Sequence, residues 1–238
     1  MNCFLPSHII IVTFAHMKKI WVTLIALCVV TSVAAQKNPL RDSLAQAKAL
    51  MEEYPDSVDL RLKKAGWNMQ LMEWQYAKDE YDVVLRRHPD NVSALFFRAY
   101  ANERLGRYNF ARLDYQNLLT LVPGDFNAAL GLALLNQKDH HYTEALDGIN
   151  RLVDAYPDSA VAYAVRGGME KERGSLKLAE DDYEQAWKRD HNSPDYLINL
   201  IDVRIELGKR EEALDNLREL ERHGYPRKSL DTFYRRLR

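Results

Sequence analysis

Cysteine is nearly absent from this chain of 238 residues, and its two copies, Cys3 and Cys28, both lie near the start. Beyond them there is no thiol for a disulfide, a nucleophile or a zinc site. Glycine and proline are scarce, at 10 and 8 residues, which disfavours short strands joined by tight turns. No glycine-rich phosphate loop, HExxH or GxSxG occurs, so the common signatures of nucleotide, zinc-protease and serine-hydrolase chemistry are missing. Neither sign of charge dominates. Thirty-three Lys and Arg face 34 Asp and Glu, a balance that offers little attraction to nucleic-acid phosphates.

One further absence is local. The first 35 residues contain no Asp or Glu. Lys18 and Lys19 are followed by the uncharged run IWVTLIALCVVTSVAA, which ends on small residues at Val33, Ala34 and Ala35. Basic residues, an apolar run and a small-residue end describe a secretory leader over residues 1–35, cleaved before Gln36, with Met17 as the natural start. The run falls short of the roughly 20 apolar residues of a permanent span, although an uncleaved N-terminal anchor is the alternative. Leu27 stands before Cys28, where lipid attachment wants a small residue, so lipidation is not expected. Removing the leader takes two lysines and no acid, and the net charge moves from −1 to −3. The short start MKKIW looks bacterial, which places the expected mature protein in a periplasm or outside the cell.

The rest of the chain repeats. Pro55, Pro89, Pro123 and Pro157 are 34 residues apart, as are Ala77, Ala111, Ala145, Ala179 and Ala213. Four residues past each alanine stands Tyr81, Tyr115, Ile149, Tyr183 or Leu217, and three further on Val84, Leu118, Leu152, Ala186 or Leu220. Spacings of 4 and 3 put these on one helical face. Ser57, Asn91, Asp125, Ser159 and Ser193 keep the same period and predict helix N-caps. Gly106, Gly174 and Gly208 stand where a helix end needs a left-handed residue. Each unit therefore reads as cap, helix A, turn, helix B and proline stop. A second small series, Ala65, Ala99, Ala133 and Gly167, broken by Ile201, lets the two helices approach closely. A lone unit cannot bury such a surface, so units must stack.

With this 34-residue order of small, small, aromatic, apolar and proline positions, the chain resembles the tetratricopeptide repeat family. The resemblance implies an all-α fold, a right-handed α-α superhelix of about five helix-turn-helix repeats with a flanking helix at each end. The units expected are 57–90, 91–124, 125–158, 159–192 and 193–226. Residues 36–56 precede them as a lone helix, and 227–238 close the array with Leu230, Phe233, Tyr234 and Leu237 on one face. Two features depart from the family pattern. The tryptophan frequent early in helix A is replaced by Arg61, Leu95, Ala129, Tyr163 and Leu197. The aromatic late in helix A gives way to Asn68, Asn102 and Asn136.

Members of the family typically bind an extended peptide or partner helix in the concave groove lined by helix A. By position, that resemblance points to Leu62, Phe96, Tyr100, Leu130 and Leu134 as an apolar stretch, and to Asp195, Asp202 and Glu206 as an acidic end. The expected partner is a protein or peptide segment with apolar side chains and a basic flank; self-association is the alternative. Leu62, Gly66 and Phe97 occupy positions where a clamp for a terminal carboxylate would need polar groups. Asn68, Asn102 and Asn136 could grip a partner's backbone or form a ladder between stacked units. His140 and His141 share a turn without an evident third ligand, so no metal or other cofactor is expected, and no catalytic residue stands out. Arg227, Lys228, Arg235, Arg236 and Arg238 make the last helix basic, fit for a solvated cap or an acidic surface.

Overall fold

A computed structural model of the protein describes residues 38–238. The expected leader, residues 1–35, lies outside them. Among the described residues the secondary structure is helical, with no strand, and no helix is long and apolar enough to cross a membrane. The chain divides into two units, one up to Leu60 and one of Arg61–Arg238.

In the first unit, helix α1 (Pro39–Glu53) begins where Asn38 accepts a hydrogen bond from the Leu40 amide at 3.0 Å and Pro39 takes the first helical position. Both devices suit a helix start, because the first amides have no partner within the helix. Ala47 is its buried residue. Ser57 then accepts from the Leu60 amide at 3.3 Å.

The next helices come in pairs: α2 (Val58–Gln70) with α3 (Trp74–Arg87), α4 (Val92–Arg104) with α5 (Tyr108–Leu121), and α6 (Phe126–Lys138) with α7 (Tyr142–Ala155). Then follow α8 (Ala160–Glu172) with α9 (Leu176–Arg189), and α10 (Pro194–Glu206) with α11 (Arg210–Arg222). A 3-10 turn, Arg227–Leu230, leads into the short α12 (Asp231–Arg236). Asn91, Asp125 and Ser159 cap α4, α6 and α8, accepting from the amides of Ala94, Ala128 and Ala162 at 2.8, 2.7 and 3.2 Å. Ser193 departs from this series. The Tyr196 amide that its side chain would receive bonds its backbone carbonyl instead, at 3.3 Å.

The turn inside each pair is closed the same way. The amides of Glu73, Arg107, His141, Ser175 and Lys209 donate to the carbonyls of Asn68, Asn102, Asn136, Glu170 and Arg204 at 2.8–2.9 Å. This is the six-to-one bond of a helix ending in a left-handed residue. Gly106, Gly174 and Gly208 supply that residue with φ of 72°, 79° and 73°, and Met72 and His140 adopt it at 59° and 61°.

Stacking follows the 34-residue phase. Ala77, Ala111, Ala145, Ala179 and Ala213 are at most 2% exposed, and Ala65, Ala99, Ala133 and Ile201 at most 1%. Tyr81, Tyr115, Ile149, Tyr183 and Leu217 are buried behind them. Gly131 shows how tight the stacking is: a Cβ there would meet the Tyr115 ring at 2.8 Å. At the far end Leu230 and Leu237 are buried, with Phe233 and Tyr234 packed against the same core as Leu217 and Leu220.

In three pairs a cation of the first helix meets an acid of the second, 16 residues on. Lys64 meets Glu80 at 2.6 Å, while Arg98 grips Asp114 at 2.6 and 2.9 Å and Arg166 grips Asp182 at 2.7 and 2.9 Å. Each arginine also reaches the preceding pair, Arg98 to Asp82 at 2.9 Å and Arg166 to Asn150 at 3.2 Å. The pair α6–α7 has Leu132 and Gly148 at these places, and a cavity of about 680 Å³ opens there.

Candidate functional site

Helices α2, α3 and α4 enclose an open cavity of about 770 Å³. Leu62, Gly66 and Met69 of α2, Trp74 and Tyr81 of α3, and Phe96, Phe97 and Tyr100 of α4 line it. Its shape follows from the repeat. The first helix of each pair shows residues at intervals of three and four on one face, and Gly66 leaves that face open where a side chain would fill it. A Cβ at Gly66 would have no heavy atom within 4 Å.

Aromatic contacts set the walls. Trp74 and Tyr100 meet edge to face at 6.0 Å between centroids. Tyr81 stacks on Phe97 at 6.2 Å, Phe97 meets Phe96 at 5.3 Å, and Phe96 meets the buried Tyr115 at 5.9 Å. Such chains of rings resist rearrangement because each orientation depends on the next. Burial pushes the Tyr81 hydroxyl up to about 12. Phe97 remains 45% exposed and Tyr100 37%, large areas for aromatic rings in a concavity.

Three of the residues singled out from sequence, Leu62, Phe96 and Tyr100, thus converge on one cavity. Leu130 and Leu134 sit further along, on α6. Leu130 is half-buried against the core of Ala145 and Ile149, whereas Leu134 is 41% exposed. Asp195 is exposed in the first turn of α10, where a carboxylate suits the helix dipole. Asp202 and Glu206 have counter-ions within the chain: Lys171 reaches both, at 3.0 Å to Glu206, and Arg236 of α12 also binds Asp202. Burial would raise the Asp202 carboxyl, but the hydrogen bonds and charges of Lys171 and Arg236 hold it below the usual carboxylate range.

Sequence reading overlooked Trp74, Tyr81 and Phe97 as cavity residues. Tyr81 belongs to the second-helix series that reads as core, Trp74 stands three residues before Ala77 of that series, and Phe97 stood out only as an unsuitable clamp residue. Their signal was the run of rings at Trp74, Tyr81, Phe96, Phe97 and Tyr100 in successive helices.

A second pattern emerges only in three dimensions. Glu103 pairs with Lys138 at 3.1 Å, Gln137 donates to Glu172 at 2.6 Å, and Lys171 pairs with Glu206 at 3.0 Å. Each link spans 35 residues, one more than the repeat, and joins the last turns of successive first helices. The preceding step would join Met69 to Arg104, and it has no acid. Arg104 lies over the Trp74 ring instead, 4.9 Å from its centroid, and makes no ion pair among the described residues.

The asparagines neither form a ladder with one another nor face a groove. Asn68, Asn102 and Asn136 are buried. Asn102 donates to Asp114 at 3.5 Å, and Asn136 accepts from Arg112 of the preceding pair at 3.0 Å. At Asn102 and Asn136 a polar neighbour on an adjoining helix, Asp114 or Arg112, receives the side chain. His140 pairs with the Tyr142 hydroxyl at 2.7 Å, and His141 faces Asp139 at 3.5 Å. Of the basic closing residues, Arg227 lies over Tyr234, Arg235 pairs with Asp231 and Arg236 with Asp202.

Comparison with known proteins agrees with this architecture. Residues 69–126 match the tetratricopeptide repeat model. No curated protein matches the chain. Among solved structures, a tetratricopeptide repeat protein from Parabacteroides merdae is similar over 84% of this chain and 78% of its own, with 19% identity and a TM-score of 0.63. MamA from Desulfovibrio magneticus RS-1, from residue 41 on, aligns with 71% of this chain and 97% of its own, at 21% identity and a TM-score of 0.61. YrrB, described as a TPR protein with an unusual peptide-binding site, covers 72% of this chain and 88% of its own, at 18% identity and a TM-score of 0.54. At such identities the likeness concerns fold. Helical pairs in 34-residue phase, buried small residues at their crossings and the repeat match over 69–126 give this chain the fold of a tetratricopeptide repeat array.

Proposed function

We propose that the protein is a non-enzymatic scaffold that binds a peptide or helical segment of a partner protein along its first helices, with the cavity of Leu62, Phe96 and Tyr100 as the main anchor. The observation that carries this reading is the cavity itself: about 770 Å³, lined by five aromatic side chains of which Phe97 and Tyr100 stay exposed. Burial of a partner's apolar side chains would supply affinity at about 25 cal/mol per Å² before ordering costs. Leu130 and Leu134 continue the surface, and Asp195, Asp202 and Glu206 bound it at the far end. The peptide-binding site named for YrrB, a protein of like fold, supports the same use of the fold here.

Export is part of the proposal and rests on the acid-free, apolar start of the chain. N-terminal sequencing of the protein from its source would find Gln36 first; an intact residue 17 or earlier would favour the anchored alternative.

Cross-linked capture from an extract of the source tests the scaffold reading. The purified protein is compared with Gly66→Leu, which fills the cavity, and with Tyr100→Ala. A protein captured by the native chain and lost from both variants supports the reading once a purified segment of it binds directly. Equal capture by all three overturns the cavity as the site. Capture of a second copy of the chain alone would replace partner binding by self-association.

A further inference from the structure

Resting on the groove reading above, we infer that the segment bound at the α2–α4 cavity carries an acidic flank, an Asp or Glu beside its apolar anchor residues, and that Arg104 receives it. Three observations converge. The first is the ladder along the first helices. Glu103–Lys138, Gln137–Glu172 and Lys171–Glu206 give each polar group of that row a partner one unit away. At the cavity the ladder lacks a step. Met69 stands where an acid would meet Arg104, so this cation keeps its charge without an ion pair among the described residues.

The second is the position of that charge. Arg104 is exposed, and it lies against Trp74, a residue of the cavity. Stacking on an indole holds a guanidinium's plane and leaves its edge donors open, ready for a carboxylate. The third is the sign of the walls. No carboxylate is among the residues that line the cavity. The acids from which a basic flank would be expected are elsewhere and occupied: Asp202 by Lys171 and Arg236, and Glu206 by Lys171. A basic segment reaching them would have to displace two cations already seated. An acidic flank at Arg104 displaces nothing.

The apolar floor and the single-sign rim together describe the partner. It presents one or two large apolar or aromatic side chains to Trp74, Phe96 and Tyr100, with a carboxylate directed toward the end of α4. Rim charges of this kind act mainly on encounter rate and on the choice between partners.

Selection from a displayed random dodecapeptide library tests this with the purified protein, run in parallel on Gly66→Leu and Tyr100→Ala after circular dichroism shows both to be folded. Peptides that bind the native protein and are lost from both variants are expected to combine an aromatic or leucine anchor with Asp or Glu beside it. A selected peptide should bind Arg104→Glu about fivefold more weakly, a size set by exposed ion pairs, and Arg104→Lys nearly as well as the native protein. The difference should shrink as salt rises. Cavity-dependent peptides with no acidic preference, or with affinity unchanged by Arg104→Glu, overturn the inference and leave the groove reading standing. If no cavity-dependent peptide is selected, the groove reading fails and this inference with it. Occupancy of the cavity by dodecanoate in place of any peptide would assign it to an aliphatic carboxylate and also overturn the inference.

Discussion

Glycine has opposite meanings at neighbouring places in this molecule. At Gly66 an added methyl enters open space, and the helix gains a residue that loses less freedom on folding. Gly66→Ala is therefore expected to raise stability by about 0.5–1 kcal/mol, read as a higher urea midpoint at constant slope. At Gly131 the same methyl meets the ring of the buried Tyr115 at 2.8 Å. The ring is 1% exposed and also meets Phe96 edge to face at 5.9 Å, so it has little room to yield. Gly131→Ala should cost about 1–3 kcal/mol, as overpacking does; a neutral result would mean that the interface between α5 and α6 adapts. Met72 and His140 give a third case. They hold the left-handed conformation that Gly106, Gly174 and Gly208 hold without strain. Met72→Gly should be neutral or stabilising by up to about 1 kcal/mol, against the usual penalty of glycine in a chain. Clear destabilisation by this change would show that Met72, 70% exposed, contributes a contact that its exposure hides.

At the scale of helices, the recurring cation–acid link ties the two members of a pair and, in two pairs, the preceding pair as well. Asp114 is 2% exposed and is gripped by two nitrogens of Arg98, whose third reaches Asp82. Removing only the acid leaves a half-buried guanidinium with two open nitrogens and its bond to Asp82. Asp114→Ala is expected to cost about 2–4 kcal/mol, and the double change Arg98→Leu with Asp114→Ala less than the single one, because breaking a buried pair harms more than replacing it. Thermal or urea unfolding of the four proteins of the cycle measures the coupling. The pair α6–α7 already carries the apolar solution, with Leu132 and Gly148 at the same two places. There the cost appears as a cavity between α5, α6 and α7 rather than as a stranded charge.

Across the whole molecule, stacked repeats are held by nearest-neighbour interfaces, and several of these place carboxylates against cations. Asp82, Glu180 and Asp202 are each subject to a burial effect that would raise their carboxyls, and each is nevertheless held below the usual range. Lys78 and Arg98 do this for Asp82, Lys209 and Arg204 for Glu180, and Lys171 and Arg236 for Asp202. A folded value below the unfolded one stabilises the fold above the ordinary carboxylate range of about 4, and that contribution is lost as pH falls through the folded value. Stability to urea should therefore hold from pH 7 down to about 5 and decline below about 4. Asp202→Asn should remove part of that decline; an unchanged pH profile in this variant would show that the Lys171–Asp202–Arg236 cluster does not contribute.

The period, and with it the fold, was legible in the chain because every unit must bury the same small and apolar positions to stack on its neighbours. Ala111 and Tyr115 could be placed in a helix crossing from spacing alone, and both are buried there. Leu62, Phe96 and Tyr100 could be assigned to one surface for the same reason: they repeat at one helical phase. Pairing between units was not legible in this way. Whether Glu103 finds Lys138, or Asp202 finds Lys171 and Arg236, depends on side-chain reach across an interface whose offset no periodicity specifies. Nor does a repeat reveal that Met69 interrupts the ladder and turns Arg104 toward Trp74. Local sequence determined which faces are buried, because burial follows helical spacing. Tertiary structure alone decided which charges on the remaining face are already satisfied, because that depends on distance between units.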